Sequence, residues 1–192
     1  MKQVWIYVAF LLVNIVLCIY AYNQKCIASQ FFDDYSTKAL LSYDYVNSVK
    51  YNGLRLDDVY LSDRNDSVLS IKEVAKGDKV LVLRYSYIDC GSCVDSLIKQ
   101  TNNLSEILGR EKIIILAKYN SRIDYINFIR LNNIKNNIYN IKDSLSVADE
   151  LNVPYFFVLE KNMTTSNFFI PRKEFPKLTE DYLHAIENIL TE

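Results

Sequence analysis

Two cysteines in the middle of the chain, Cys90 and Cys93, are spaced as C-x-x-C. An apolar stretch at residues 80–87 precedes them, and an amphipathic stretch at residues 92–108 follows. The pair therefore lies where a strand gives way to the first turn of a helix, whose unpaired backbone N–H groups and partial positive charge stabilise a thiolate. Because residues i and i+3 lie on one side of a helical turn, the two sulfurs can form and open a disulfide. The pattern indicates thiol-disulfide exchange rather than a structural cross-link.

Strands and helices alternate through the second half of the chain. A continuous apolar run such as residues 113–117 (IIILA) is typical of a strand buried on both faces. Strand-helix-strand units in this order imply parallel neighbours in an α/β domain. Upstream, residues 54–61 predict a short strand pair, and residues 68–74 lead into the core. We predict further strands at residues 80–87, 113–117, 138–141, 155–159 and 166–170, and helices at 92–108, 123–131, 144–151 and 178–190.

The composition excludes several classes of protein. The 192 residues carry 22 basic and 23 acidic side chains, and the net charge of -1 provides no broad cationic surface for nucleic acid. Four cysteines are too few for a disulfide-built scaffold, and a single histidine cannot complete the zinc sites that use several nitrogen ligands. We therefore expect a core-stabilised domain with no metal, no cofactor and no nucleic-acid partner.

The N-terminal residues predict a membrane segment. Residues 4–22 form a run of 19 residues without a charge, which as a helix spans roughly 28 Å, the thickness of one bilayer core. Lys2 precedes the run, as in signal peptides and signal-anchors, and no clean cleavage site follows it, so we expect an uncleaved anchor. This predicts a single-pass protein of the inner (cytoplasmic) membrane whose soluble domain faces the periplasm or the cell exterior.

The predicted domain boundaries follow from this segment. The two remaining cysteines, Cys18 inside the apolar run and Cys26 just beyond it, have no assigned role. The predicted parts are an anchor or signal segment at residues 1–24, a helical connector at residues 25–52 and a globular domain at residues 53–192.

Further residues extend the pattern around the cysteine pair. An Ile-rich strand at residues 113–117 follows it, Asp143 precedes a predicted short helix, and Val153-Pro154 enters another apolar strand. Together with the C-x-x-C after an apolar strand, these features of residues 53–190 resemble the thioredoxin-like thiol-disulfide oxidoreductases, especially the exported redoxin branch of bacterial envelopes. The resemblance implies a three-layer α/β fold with a central mixed sheet, here preceded by an N-terminal transmembrane helix.

The resemblance also implies roles for individual residues. Cys90 corresponds to the exposed, attacking thiol, and Cys93 corresponds to the buried resolving thiol. Pro154 corresponds to a cis-proline, a bond geometry that costs only about 0.5–1 kcal/mol before proline. The Val153 backbone would then lie beside the disulfide and hold an extended substrate segment by strand addition. The resemblance thus makes Cys90 and Cys93 catalytic, and Val153 and Pro154 substrate-binding.

Two residues depart from the family pattern and are expected to tune the thiol pKa values. Asp89 stands where the family usually has an aromatic residue, and its negative charge should raise the pKa of Cys90. Arg84 stands where thioredoxins carry a buried acid that relays protons. A guanidinium directed at the sulfurs would lower a thiol pKa and make the pair more oxidising, whereas one directed at solvent would have no effect.

The expected function is that of a membrane-anchored oxidoreductase that exchanges disulfides with protein thiols outside the cytoplasm and with a membrane or envelope redox partner. Two alternatives stay open. One is a peroxide-reducing redoxin, which needs an Arg and a Thr beside the thiolate, and no such Thr neighbours Cys90 in the sequence. The other is a thioredoxin-shaped binding or scaffold module without catalysis.

Overall fold

The computed structural model describes residues 2–89, 91–145 and 148–191, with the side chains described except at residues 2–12, 28–32 and 92. The chain divides into two compact units, Met1–Tyr45 and Val46–Glu192. Helix α1 (Lys2–Tyr51) makes up the first unit and contributes residues 46–51 to the second.

The predicted membrane span at residues 4–22 stays a prediction. Among the residues described, no helix combines the length and the apolar character that crossing a bilayer requires. Residues 4–12 of the predicted span have side chains outside the described part of the chain. The predicted domain boundaries at residues 24 and 52 likewise remain predictions.

A mixed seven-stranded sheet forms the centre of the second unit. In chain order its strands are β1 (Tyr60–Ser62), β2 (Val68–Ser70), β3 (Val80–Ser86), β4 (Ile113–Lys118), β5 (Asn137–Ile141), β6 (Tyr155–Leu159) and β7 (Thr165–Phe169). Across the sheet the order is β2-β1-β5-β4-β3-β6-β7. Strands β3, β4 and β5 are parallel, and every other neighbouring pair is antiparallel. The prediction of a central mixed sheet is confirmed.

Helices cover the sheet and bury it on both faces. The helices after α1 are α2 (Ile71–Ala75), α3 (Gly91–Leu108), α4 (Arg122–Leu131) and α5 (Pro176–Thr191). One core cluster joins Leu83 and its neighbours to α3, α4 and α5, while a second joins Val82 to α2 and the end of α1. Since successive β3 residues belong to opposite clusters, the continuous apolar runs of the sequence are strands buried on both sides.

The structure differs from the sequence prediction in three short segments. The strand pair predicted at residues 54–61 does not form within them: β1 begins at Tyr60 and pairs with β2, and Arg55 forms an isolated bridge with Thr164. Residues 71–75 form helix α2, which begins with a capping box: the Ser70 hydroxyl accepts the Glu73 N–H at 3.2 Å, and the Glu73 carboxylate accepts the Ser70 N–H at 2.7 Å. The helix predicted at residues 144–151 is wrong in its described part, where only a 3-10 turn, Asp149–Leu151, is found. Ala148 takes the left-handed conformation (φ 56°), which ends any α-helix. Residues 146 and 147 of that prediction lie outside the described residues.

Candidate active site

The turn between β3 and α3 is held by Asp89. Its carboxylate accepts the Ser86 N–H at 2.6 Å, and its own N–H donates to the Ser86 carbonyl at 3.0 Å. Asp89 therefore folds back on the last residue of β3, and its side chain is half-buried beneath the turn. An aromatic side chain could not accept this N–H, so the departure from the family pattern has a structural role at this position.

Cys93 lies in the first turn of α3, where the C-x-x-C pattern predicts it. The helix begins at Gly91, one residue before the predicted start, and the Cys93 side chain is half-buried. Cys90 lies outside the described residues, so the pairing of the two sulfurs stays a prediction. The described part of the pair thus has the helix-terminal position that favours a thiolate.

A cavity of about 440 Å³ joins Cys93 to the two residues that the resemblance makes substrate-binding. Val153 and Pro154 line it opposite the first turns of α3, and Asp89 lines it beside them. All three prolines of the chain contribute to its wall. The remaining lining comes from the β3–α3 turn, α3, the residue before Val153, the connection between β7 and α5, and the start of α5: Ile88, Ser96, Leu97, Gln100, Asn152, Pro171, Arg172, Lys173, Glu174, Pro176 and Thr179.

The expected cis bond before Pro154 is absent, and that expectation is wrong. No peptide bond in the described residues is cis, the Val153–Pro154 bond included. The chain changes direction one residue earlier, at Asn152, which takes the left-handed conformation (φ 50°, ψ 39°) at the end of the 3-10 turn. Because Asn152 makes the turn into β6, the proline bond need not do so.

Arg84 does not point to solvent, one of the two directions that the sequence left open. Its side chain is 3% exposed, and its Nη2 lies 3.0 Å from the Asp149 carboxylate. Nη1 donates to the Tyr85 carbonyl. Asp149 accepts two further hydrogen bonds, from the Leu145 N–H and the Tyr155 hydroxyl, each at 2.9 Å. The buried guanidinium is therefore neutralised by a carboxylate that the sequence did not identify.

A second cavity of about 180 Å³ lies on the Arg84 side of Asp89. Arg84, Asp149 and Tyr155 line it, and Asp89 and Val153 line both cavities. Asp89 therefore lines both the cavity that holds Cys93 and the cavity that holds the Arg84–Asp149 pair.

The electrostatics of Asp89 follow from this position. Burial raises the pKa of its carboxyl above the ordinary value, and the negative charge of Asp149 acts in the same direction. The Ser86 N–H and the Arg84 guanidinium partly oppose the rise in pKa. Asp89 Oδ1 is buried and has no hydrogen-bond partner among the residues described. The Arg84 charge is thus close enough to act on Asp89, whereas its action on the thiols stays a prediction.

Sequence reasoning missed Asp149 and the β7–α5 connection. Asp149 follows no motif, because its partner Arg84 is 65 residues away in the chain. For the β7–α5 connection the sequence offers one indication of a role in the site, a charged segment enclosed by Pro171 and Pro176. Among the described residues, no group of three or more His, Cys, Asp or Glu side chains could hold a metal ion.

Solved structures with the same architecture are thioredoxin-like. A thiol:disulfide interchange protein DsbE from Chlorobium tepidum is 14% identical, with a TM-score of 0.54 over 71% of this chain and 97% of that one. The thioredoxin domain of a thiol-disulfide oxidoreductase from Bacteroides vulgatus is 11% identical, with a TM-score of 0.51 over 69% and 97% of the two chains. A mitochondrial 2-Cys peroxiredoxin from Plasmodium falciparum is 9% identical, with a TM-score of 0.50 over 72% and 92%.

In sequence, no protein-family model and no curated protein matches the chain. The structural likeness, at these low identities, establishes the fold: residues 46–192 form a thioredoxin-like α/β domain with a mixed sheet.

Proposed function

We propose that the protein is a thiol-disulfide oxidoreductase that exchanges disulfides with protein substrates through Cys90 and Cys93. The observation that carries the proposal is the cavity in which Cys93, at the start of α3, meets Val153 and Pro154, at the start of β6. Two elements distant in sequence thus supply a thiol and a substrate-sized surface at one end of a thioredoxin-like sheet.

The reaction needs no cofactor. The Cys90 thiolate attacks one sulfur of a substrate disulfide, and the other substrate sulfur leaves as a thiolate. Cys93 then attacks the Cys90 sulfur of the mixed disulfide, which forms the Cys90–Cys93 disulfide and releases the second substrate thiolate. The substrate gains two electrons and the cysteine pair loses two. Run in reverse, the same steps oxidise a substrate dithiol.

The cavity has a shape and a lining that suit a polypeptide segment. Apolar surface from Leu97, Val153 and Pro154 faces the same space as the charged side chains of the β7–α5 connection. We infer that the backbone of Val153, next to β6, holds an extended chain by strand addition. Protein thiols and disulfides are therefore the proposed substrates.

The proposed location rests on the sequence alone. The uncharged run at residues 4–22 supports an anchor in the inner membrane with the thioredoxin-like domain outside the cytoplasm, where disulfides persist. A membrane or envelope redox partner would then restore the cysteine pair after each turnover. Labelling of intact cells with a membrane-impermeant thiol reagent tests this location, because Cys90, the expected exposed thiol, labels only if the domain faces outward.

Trapping of mixed disulfides tests the proposed activity. Cys93→Ser removes the resolving thiol, so Cys90 should accumulate in disulfide-linked complexes with substrate proteins. Cys26→Ser, which removes a cysteine outside the pair, is the matched control and should trap nothing. The wild-type protein should also catalyse the reduction of insulin by dithiothreitol. Absence of both trapping and insulin reduction, with Cys90 open to alkylation, contradicts the proposal.

The same assays separate the two alternatives. A thioredoxin-shaped binding module without catalysis would leave insulin reduction at the uncatalysed rate while keeping its fold. A peroxide-reducing redoxin would consume hydrogen peroxide, and the likeness to a 2-Cys peroxiredoxin fold is the observation that makes this control necessary. We expect insulin reduction without peroxide consumption.

A further inference from the structure

The last turn of α1 contacts the segment that leads to Val153 and Pro154. Tyr51, the last residue of α1, is 2% exposed and belongs to the same compact unit as the sheet. Its hydroxyl donates to the Glu150 carboxylate at 2.5 Å, across 99 residues of the chain. Glu150 lies in the 3-10 turn that ends at Leu151, shortly before Val153. We propose, resting on the proposed function, that Tyr51 is a positioning residue, which acts through Glu150 to hold the Val153-Pro154 segment for a polypeptide substrate.

Two tyrosines bind adjacent carboxylates of the 3-10 turn. Tyr51 donates to Glu150, and Tyr155 of β6 donates to Asp149 at 2.9 Å. Both tyrosine rings pack on Phe168 of β7, whose ring centroid lies 4.9 Å from that of Tyr51 and 5.3 Å from that of Tyr155. The turn is therefore held from two sides by side chains that share one aromatic neighbour, and loss of either hydroxyl releases one side.

The end of α1 is itself bound to β7. The Thr165 hydroxyl donates to the Tyr51 carbonyl at 2.5 Å, and the Gly53 N–H donates to the Thr165 carbonyl at 2.6 Å. The Asn52 side-chain oxygen accepts the Phe168 N–H at 2.8 Å. Because α1 cannot leave β7 without breaking these bonds, the Tyr51 hydroxyl is a donor with a fixed position.

The 3-10 turn continues into one wall of the cavity that holds Cys93. The Asn152 side chain donates to the Glu150 carbonyl at 3.2 Å, and Val153 packs against the core cluster that includes the end of α1. Asn152, Val153 and Pro154 line the cavity, and Cys93 lines it from α3. A shift of Glu150 would therefore displace this wall of the cavity while the helix that carries Cys93 stays in place.

The bond from Tyr51 to Glu150 has a charged acceptor. The Tyr51 hydroxyl is the main cause that holds the pKa of the Glu150 carboxyl below its ordinary value, so this carboxyl is ionised at neutral pH. Lys50 Nζ also lies 3.2 Å from Glu150 and 2.8 Å from the Tyr51 hydroxyl oxygen. The Lys50 and Glu150 side chains are 58% and 61% exposed, and an exposed ion pair contributes little. Tyr51 is therefore the residue expected to hold Glu150.

Two disulfides of different size separate positioning from thiol chemistry. Reduced full-length protein carrying Cys18→Ser and Cys26→Ser is mixed with increasing concentrations of a short synthetic peptide closed by one disulfide. Acid quenching followed by alkylation gives the maximal rate of protein oxidation and the half-saturating peptide concentration. The same protein is mixed with 5,5′-dithiobis(2-nitrobenzoate), which is too small to need an extended binding segment.

Tyr51→Phe removes the hydroxyl and keeps the ring. It should raise the half-saturating peptide concentration about threefold, within the range expected for the loss of one hydrogen bond. The maximal rate with the peptide and the rate with the small disulfide should not change, because the thiols are not altered.

Variants of Glu150 test whether Tyr51 acts through this carboxylate. Glu150→Ala, a change at an exposed position that tests the same bond if Tyr51→Phe weakens the fold, should raise the half-saturating concentration to the same extent. The double variant should show no larger rise than either single variant, because both changes remove one bond. Glu150→Gln, which keeps an acceptor oxygen, should restore most of the original value.

Tyr125→Phe is the matched control. Tyr125 is also 2% exposed and donates to the Ile138 carbonyl at 2.9 Å, but it belongs to the other core cluster and lines neither cavity. Its loss of a buried hydroxyl should leave the half-saturating concentration unchanged.

The outcomes separate the inference from the function on which it rests. An unchanged half-saturating concentration in Tyr51→Phe overturns the role of Tyr51 and leaves the exchange activity intact. Equal slowing with both disulfides, an equal rise in Tyr125→Phe, or additive effects of Tyr51→Phe and Glu150→Ala also overturn it. A parent protein that forms no Cys90–Cys93 disulfide with the peptide overturns the proposed function itself.

Discussion

The Arg84 guanidinium lies 3.0 Å from the Asp149 carboxylate, with the two side chains 3% and 14% exposed. Arg84 pairs with Tyr155 across β3 and β6, and the Tyr155 hydroxyl donates to the same carboxylate at 2.9 Å. The ion pair therefore ties the strand that leads to the cysteines to the turn that leads to Val153 and Pro154. It fixes the two sides of the cavity relative to each other.

Removing the charge of Asp149 should destabilise the domain strongly. Asp149→Asn leaves the Arg84 guanidinium buried without a counter-charge, which costs about 3–5 kcal/mol of the free energy of unfolding. Urea denaturation followed by circular dichroism measures the loss. The matched control is Asp181→Asn, which breaks an ion pair with Lys177 on the exposed face of α5 and should change the stability little. Similar midpoints for the two variants would show that the buried pair has no special role.

Tyr155→Phe should lower the free energy of unfolding by more than the loss of an ordinary buried hydroxyl does. The Tyr155 side chain is 1% exposed, and burial raises its pKa, so the hydroxyl keeps its proton and donates to the Asp149 carboxylate. A hydrogen bond to a charged group contributes about 1.5–3 kcal/mol, against about 1 kcal/mol for a neutral acceptor. Tyr182→Phe, which loses a 2.8 Å bond to the Asn167 carbonyl, is the matched control. If Tyr155→Phe and Tyr182→Phe lower the free energy of unfolding equally in urea denaturation, the acceptor of the Tyr155 hydroxyl does not act as a charged group.

Asp89 should make the stability of the wild-type protein depend on pH. Its folded-state pKa is raised above the ordinary value of 3.8, so the folded protein binds the Asp89 proton more tightly than the unfolded chain does. The Asp89 contribution to stability therefore falls as pH rises from about that value through the folded pKa, and it is constant above. Asp89→Asn removes this contribution.

Stability curves from pH 3 to pH 8 check the sign. Relative to wild type, Asp89→Asn should gain stability as pH rises through the acidic range, whereas Asp95→Asn, an equal loss of charge at an exposed position of α3, should show no such trend. A stability of Asp89→Asn that falls relative to that of wild type as pH rises through this range would contradict the burial of an ionised Asp89.

Gln100 should contribute to substrate binding rather than to folding. It lines the cavity on α3, and its Oε1 is buried without a hydrogen-bond partner among the described residues. Gln100→Met keeps the shape and removes the polar group, so the free energy of unfolding should not fall. The KM for a peptide disulfide should rise about fivefold at unchanged kcat, the value of one hydrogen bond of about 1 kcal/mol. An unchanged KM, or a fall in kcat alone, would contradict this role.

Much of the fold could be predicted because its signals are local. The apolar runs of β3, β4 and β6 and the amphipathic patterns of α3 and α5 place these elements to within about two residues, the usual uncertainty of such boundaries. The position of Cys93 in the first turn of α3 follows from the same local pattern. The capping box of Ser70 and Glu73 was also present in the sequence, but the helix it starts has only five residues and little amphipathic pattern.

The missed features depend on contacts between distant residues. The Arg84–Asp149 pair joins residues 65 apart, and no local pattern encodes which carboxylate meets a buried arginine. The helix expected at residues 144–151 does not form in its described part, where Arg84 and Tyr155 instead bind Asp149. The cis or trans isomer of the bond before Pro154 depends on a local preference of only about 0.5–1 kcal/mol, which tertiary structure readily overrides.

The most direct test of the account is the mass of the reduced full-length protein after reaction with one equivalent of a protein disulfide such as insulin. The account predicts the loss of two hydrogen atoms and, after proteolysis under acid conditions, a peptide in which Cys90 is joined to Cys93. A protein that keeps all four thiols, or whose new disulfide uses Cys18 or Cys26, would contradict it.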